Sequence, residues 1–174
     1  MVARANRLMV EEPYASTVNP VLARLSCLGL AMSADELYEW LGKMRFRRQE
    51  QDIVAAAVTV APLLARHLSS GETQTPSDLH DMLAGRPAEV LLLAVLLAPD
   101  ETSADERVRH YLERLSDVRL EISGDDLRQA GVAESPDLGR ALKETLALKL
   151  DGVVSGRKEE LETALRLARA PTGE

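Results

Sequence analysis

The sequence predicts an all-α protein, made of a multi-helical body and a small helical tail joined by one short extended link. Its 174 residues are rich in Leu, Ala, Glu and Arg, which favour helices, and contain only one Phe, one Trp and three Tyr. Apolar residues recur three and four positions apart over most of the chain, as on the buried face of a helix. Ser and Pro stand where these stretches begin. Together these observations predict helices that pack around one good core or two small ones.

The pattern divides the chain into three parts. Residues 1–19, which contain Pro13, are predicted to form an irregular N-terminal segment. Residues 20–117 form the helical body, and residues 118–174 form the helical tail. The boundary falls at Val118, where apolar and charged residues begin to alternate, as they do in an extended segment.

Helices of the body are predicted to begin at recognisable caps. The first begins near Pro20, and Ser33 with Glu36 forms a capping box before the second. The longest helix runs from about 46 to 67, with a kink or break at Pro62, because proline lacks a backbone donor. Three later helix starts are indicated by Pro76, by Pro87 and by a second capping box, Ser103–Glu106.

The tail is predicted to contain three helices in quick succession. Ser123-Gly124-Asp125-Asp126 is expected to cap the first, which ends at Gly131, and Ser135-Pro136-Asp137 to cap the second, which ends at Asp151-Gly152. Ser155 precedes the third. The core face of the second helix is expected to carry Leu138, Leu142, Leu146 and Leu150.

Charge and composition narrow the classes of function. The net charge of −7 disfavours a protein whose whole surface binds nucleic acid, although it leaves room for a local basic stripe. The single Cys27 cannot form an internal disulfide, and a cytoplasmic location is expected. The most apolar run, Val90–Ala98, is about half the length that spans a bilayer, so no membrane partner is expected. No secretory signal is recognised at the N-terminus.

The region around residues 120–152 places turn and helix-start motifs in a characteristic order. Along the chain these motifs are Ile122, Gly124, Asp126-Leu127, Gly131, Ser135-Pro136-Asp137-Leu138-Gly139, Asp151-Gly152 and Glu159-Glu160-Leu161. Their order and spacing resemble the C-terminal region of the bacterial tRNA nucleotidyltransferase and poly(A) polymerase family. Upstream, Met44–Glu50 is similar to the family's Leu-Arg-Phe-Ser-Arg-Arg-Glu stretch in the helical body, and Pro87-Ala88-Glu89 followed by a run of Leu also fits.

Two departures from the family pattern limit what the resemblance implies. Ser135 stands where the family has Gly at a helix start. The family's catalytic head uses an Asp-x-Asp carboxylate pair to hold Mg²⁺, and no Asp-x-Asp occurs in this sequence. Asp125 and Asp126 are adjacent and are better explained as helix caps. The resemblance therefore implies the body and tail without the head, with no catalytic residue, metal ligand or cofactor in this chain; Mg²⁺ would belong to the head.

The resemblance also implies that the chain holds tRNA or another RNA, with the tail toward the elbow and the body toward the acceptor stem. A separate head polypeptide is a further candidate partner, and the sequence carries no indication of oligomeric state. Residues expected to contact phosphates are the cations of a basic stripe and those near the tail's helix starts: Lys43, Arg45, Arg47, Arg48, Arg128, Arg140 and Lys143.

Two alternatives stay open at this point. The basic stripe could be a solvated helix junction paired with Glu50 and Asp52, and the Asp residues at the tail's helix starts compete with phosphate for the same positive potential. From Leu120 onward, eight Lys and Arg face eleven Asp and Glu, so the tail is acidic. The chain could then be an acidic helical scaffold that binds protein.

Overall fold

The computed structural model describes residues 1–70, 75–99 and 102–169. Within these ranges the chain forms eleven α-helices, one π-helical turn at Tyr111–Leu115 and no strand, which confirms the all-α prediction. The α-helices are α1 (Val2–Leu8), α2 (Tyr14–Thr17), α3 (Pro20–Gly29), α4 (Ala34–Lys43), α5 (Arg48–Ser69), α6 (Pro76–Leu83), α7 (Ala88–Leu97), α8 (Ala104–His110), α9 (Gly124–Gln129), α10 (Pro136–Leu150) and α11 (Gly156–Arg169).

The chain divides into two compact units, whose bounds differ from the predicted body and tail. The first unit contains residues 1–72 and 83–113, and the second contains 73–82 and 114–174. Residues 75–82 join the second unit because side chains far along the chain hold α6 there. The Ser77 N–H and hydroxyl donate to the Asp151 carboxylate at 2.9 and 2.8 Å.

Helices α5 and α7 form the centre of the first unit. All residues of Glu89–Leu96 are buried, as expected of a helix that is apolar all round. The buried face of α5 packs against α3 and α7. A further cluster, in which α4 contributes Leu37 and Leu41, completes the core beside the turn that joins α4 to α5.

The sequence predicts a kink or a break at Pro62; the break is absent, since α5 runs without interruption over Arg48–Ser69. Pro62 lies on the exposed face, where water can satisfy the carbonyl that loses its donor. The helix α5 is long and apolar enough to span a membrane, but buried core helices can have the same length and composition. We interpret it as a core helix because Val54, Ala57 and Ala61 on one face are buried within the first unit.

Residues 1–19, which the sequence predicts to be irregular, contain α1 and α2 and take part in the core. Tyr14 is completely buried, and its hydroxyl donates to Asp105 Oδ1 at 2.7 Å. Buried Glu89 of the Pro-Ala-Glu motif accepts the Asn19 N–H at 2.9 Å, at the start of α3. Both contacts join residues at least 70 positions apart, which periodicity cannot reveal.

The two capping boxes of the body have different outcomes. The box at Ser33 is confirmed: its hydroxyl accepts the Glu36 N–H at 3.3 Å, and Glu36 accepts the Ser33 N–H at 2.8 Å. The box at Ser103 is wrong, because Ser103 has ψ of 15° and makes no side-chain cap, whereas Ser33 is extended with ψ of 163°. Asp105, which has no part in such a box, binds Tyr14 and Arg109.

Small side chains form the centre of the second unit. Buried Ala141, Thr145 and Ala164 lie along α10 and α11, and Ile122 and Leu127 cover them. The predicted leucine face is displaced toward the edge of this core, because the small residues allow α10 and α11 to pack closely. Of the four predicted leucines, Leu138 and Leu142 pack against this core, and both are only partly buried.

Candidate nucleic-acid interface

The turn between α4 and α5 brings four of the predicted site residues together. After the last residue of α4, the Arg45 N–H donates to the Gly42 carbonyl at 2.9 Å and the Phe46 N–H donates to the Leu41 carbonyl at 3.1 Å. This pair of bonds is the Schellman motif, in which the residue after the cap adopts a left-handed conformation. Arg45 has φ of 60° accordingly.

An arginine at this position is unusual. The same pair of bonds ends α9 at Gly131 and α10 at Gly152, where φ is 87° and 74°. Glycine is favoured there because a β-carbon clashes with the backbone at positive φ, at a cost of about 1 kcal/mol. Of the non-glycine residues that the structure describes, only Arg45 has a positive φ. Such strain indicates that the side chain itself is useful.

The four cations of the turn differ in their partners. Lys43 pairs with Glu39 at 2.6 Å, and Arg48 pairs with Asp52 at 3.2 Å. Arg45 and Arg47 are exposed, and neither guanidinium has a hydrogen-bond or ion-pair partner among the described residues. The turn therefore presents two free guanidinium groups to solvent.

The two carboxylates considered as partners of this stripe have separate roles. Asp52 forms an ion pair with Arg48, as expected if the basic stripe is a solvated helix junction. Glu50 instead accepts the backbone N–H of Arg47 at 2.7 Å, which caps α5 and leaves the guanidinium free.

The predicted site residues of the second unit all lie in ion pairs. Arg140 contacts Asp137 at 3.1 Å and Glu144 at 3.2 Å. Lys143 contacts Asp81 at 2.8 Å, and Arg128 contacts Asp125. Hydrogen bonds to these carboxylates raise the pKa of each of the three cations. Because carboxylates already neutralise them, they attract phosphate less than Arg45 and Arg47 do.

The helix starts of the second unit are used for packing and capping. The Ser123 N–H and hydroxyl donate to Asp126 at 2.7 and 2.9 Å. A β-carbon on Gly124 would lie 3.1 Å from Leu138, so glycine serves close packing there. Ser135 is extended and makes no side-chain cap. In residues 1–70, 75–99 and 102–169, no group of three or more His, Cys, Asp or Glu could hold a metal ion.

Replacing Asp126 by Asn is expected to destabilise the second unit at pH 7 but not in acid. Hydrogen bonds from the Ser123 backbone and hydroxyl, with Arg157, lower the pKa of Asp126 in the folded chain. Its stabilising effect is therefore complete above the ordinary carboxyl pKa of about 4, begins to be lost as the pH falls through that value, and disappears only below the lowered pKa of the folded chain. Urea midpoints at pH 7 and pH 3 measure this. Exposed Glu162→Gln is the control, and a gap from wild type that is as large at pH 3 as at pH 7 contradicts the explanation.

Sequence reasoning missed one residue that contacts the α4–α5 turn, Tyr38 of α4. The ring of Tyr38 lies under the Arg48 guanidinium, with 4.7 Å between Cζ and the ring centroid, and its hydroxyl donates to Asp52 at 3.1 Å. Tyr38 is 14 positions from Asp52. Nothing local in the sequence therefore signals the contact.

The chain is similar to the A-adding tRNA nucleotidyltransferase of Geobacter sulfurreducens. The two are 29% identical over 126 residues, which cover 71% of this chain and 14% of that protein. No protein-family model matches the chain. No solved structure matches it at a significant level. The similarity supports a relation to tRNA nucleotidyltransferases, and the chain spans about a seventh of the length of its curated relative.

Proposed function

We propose that the chain is an RNA-holding protein related to tRNA nucleotidyltransferases, and that the α4–α5 turn contacts the RNA backbone. The observation that carries this proposal is the pair of free guanidinium groups at Arg45 and Arg47, one of them kept on a strained residue. Planar guanidinium groups bind phosphate oxygens through paired, charge-assisted hydrogen bonds. Contacts of this kind recognise the position of the backbone without reading its sequence.

Chemistry and further partners belong to the same proposal. The relative's name makes tRNA the first RNA to test. We infer that nucleotidyl transfer and its Mg²⁺ belong to a separate catalytic head, and that this chain binds no cofactor of its own. With a net charge of −7, most of the surface repels RNA, so the contact is confined to the turn.

Binding of labelled tRNA at low salt, followed by fluorescence anisotropy, tests the proposal. Wild type is expected to bind with an affinity that falls steeply as salt is added, because phosphate contacts release counterions. The double variant Arg45→Glu/Arg47→Glu is expected to lose binding altogether. Absence of tRNA binding by the wild type at about 20–50 mM salt, where the Debye length exceeds the roughly 8 Å of physiological salt, would show that the function is wrong for this chain.

A glycine at position 45 gives the sharper variant. Arg45→Gly is expected to raise the free energy of unfolding by about 1 kcal/mol, because it relieves the positive φ, and to weaken tRNA binding about tenfold. Lost binding in a more stable protein cannot be attributed to misfolding. Arg128→Gln, which removes a paired cation, is the matched control and is expected to bind like wild type.

The second candidate function is an acidic helical scaffold that binds protein. It is favoured by the ion pairs that occupy Arg128, Arg140 and Lys143 in the second unit. The same binding assay separates the two functions: the scaffold requires that neither wild type nor Arg45→Gly binds RNA.

A further inference from the structure

The α4–α5 turn also contains a fixed, planar group beside the free arginines. The Arg48 guanidinium lies on the Tyr38 ring at 4.7 Å, and its Nε lies 3.2 Å from Asp52 Oδ1. The Tyr38 hydroxyl donates to the same carboxylate oxygen at 3.1 Å. Ring and carboxylate therefore contact the guanidinium from two directions, which restricts its orientation.

The other face of this guanidinium is open. The Arg48 side chain is 74% exposed although its inner side is covered by the ring. Asp52 neutralises much of its charge, so Arg48 is a weaker phosphate ligand than Arg47 beside it. What it offers a ligand is a flat, pre-oriented surface. Nucleic-acid bases stack on arginine planes as they do on aromatic rings.

We propose that the Tyr38 and Arg48 stack is a platform for one unpaired base of a single-stranded RNA segment, while Arg45 and Arg47 hold the neighbouring phosphates. This inference rests on the proposed RNA-holding function and narrows its ligand. A base inside a duplex has both faces covered by its neighbours and cannot use the platform. The turn therefore selects an unpaired stretch or end over a double-stranded stem.

Exchange of Arg48 for lysine tests the platform, because lysine keeps the charge and loses the plane. The probes are a seven-nucleotide single-stranded RNA carrying one 2-aminopurine and a blunt RNA duplex of the same length. Wild type is expected to prefer the single strand and to quench 2-aminopurine. Arg48→Lys is expected to bind the single strand about tenfold more weakly, with unchanged salt dependence and little change for the duplex. Lys158→Arg is the control, since it exchanges the same two residue types at an exposed, paired cation outside the α4–α5 turn.

The possible results separate this inference from the function on which it rests. Equal losses for single strand and duplex, or no loss for either, overturn the base platform while RNA holding stands. Preference of the wild type for the duplex also overturns it. A wild type that binds neither RNA overturns both. Tyr38→Leu provides a second variant: the platform predicts a loss confined to the single strand, because the guanidinium is no longer held flat.

Discussion

Replacing Lys149 by Met is expected to destabilise the second unit by about 3 kcal/mol. Lys149 Nζ lies 2.6 Å from Glu160 Oε1, and the Glu160 side chain is completely buried. The other Glu160 oxygen accepts the Glu121 N–H at 2.6 Å. Without the ammonium group, a buried carboxylate loses its counter-charge, which typically costs several kcal/mol. The partial exposure of Lys149 places the effect in the lower part of that range.

Urea unfolding followed by circular dichroism measures this loss. Lys158→Met is the matched control, because Lys158 lies 4.0 Å from Glu162 with both side chains exposed, and such pairs contribute about 0.5 kcal/mol or less. The double variant Lys149→Met/Glu160→Leu is expected to regain part of the stability, since no buried charge remains although the Glu121 N–H and the Arg119 carbonyl lose their partners. Equal behaviour of the two lysine variants would show that Glu160 does not depend on Lys149.

The same residues explain part of the family resemblance in structural terms. Lys149 also donates to the Arg119 carbonyl at 2.8 Å, and Arg157 donates to the Glu121 carbonyl at 2.6 Å. Together with Glu160 they fix the non-helical segment at residues 118–123. The Glu159-Glu160-Leu161 motif, which the sequence offers only as a family signature, thus contains the residue that anchors this segment.

Features that depend on neighbouring residues could be predicted from the sequence. The starts of α4 and α6, and the glycine that ends α9, follow from side chains within four positions of one another. The second capping box fails although it has the same four residues as the first. Ser103 has ψ of 15° there, while the neighbouring Asp105 binds Tyr14, 91 positions away, and local propensity contains no information about such a partner.

The candidate site shows the same division between local and distant information. The sequence identifies Lys43, Arg45, Arg47 and Arg48 as a basic cluster. It does not distinguish the free cations from the paired ones, because Arg48 is held partly by Tyr38 on the preceding helix. Nor does it reveal the positive φ of Arg45, which results from the Schellman bonds that end α4. The partners of the four cations and the positive φ of Arg45 support the two proposals. Both features exist only in the folded chain.

The contacts of Tyr14 fix the N-terminal segment, which the sequence predicts to be irregular. Its buried hydroxyl donates to Asp105, and Arg109 lies over its ring with Cζ 5.0 Å from the centroid. Arg109 in turn contacts Asp105 at 3.0 Å and Glu11 at 2.8 Å. This network ties residues 11–14 to α8. Burial and the bond to Asp105 raise the pKa of Tyr14, so the hydroxyl remains a donor throughout the neutral range.

Tyr14→Ala is therefore expected to lower the free energy of unfolding by about 3–5 kcal/mol, as truncation of a buried aromatic ring does. Tyr14→Phe keeps the ring and is expected to lose about 1–2 kcal/mol, because Asp105 Oδ1 loses its donor in a partly buried place while Oδ2 keeps Arg109. Tyr38→Phe is the matched control: it removes a hydroxyl that also donates to an aspartate, in an exposed position, and should lose about 0.5 kcal/mol or less. Chemical denaturation of the three variants measures the differences. Equal losses for the two Tyr→Phe variants would mean that the Tyr14 hydroxyl does not hold the N-terminal segment, and that burial of the ring alone orders it.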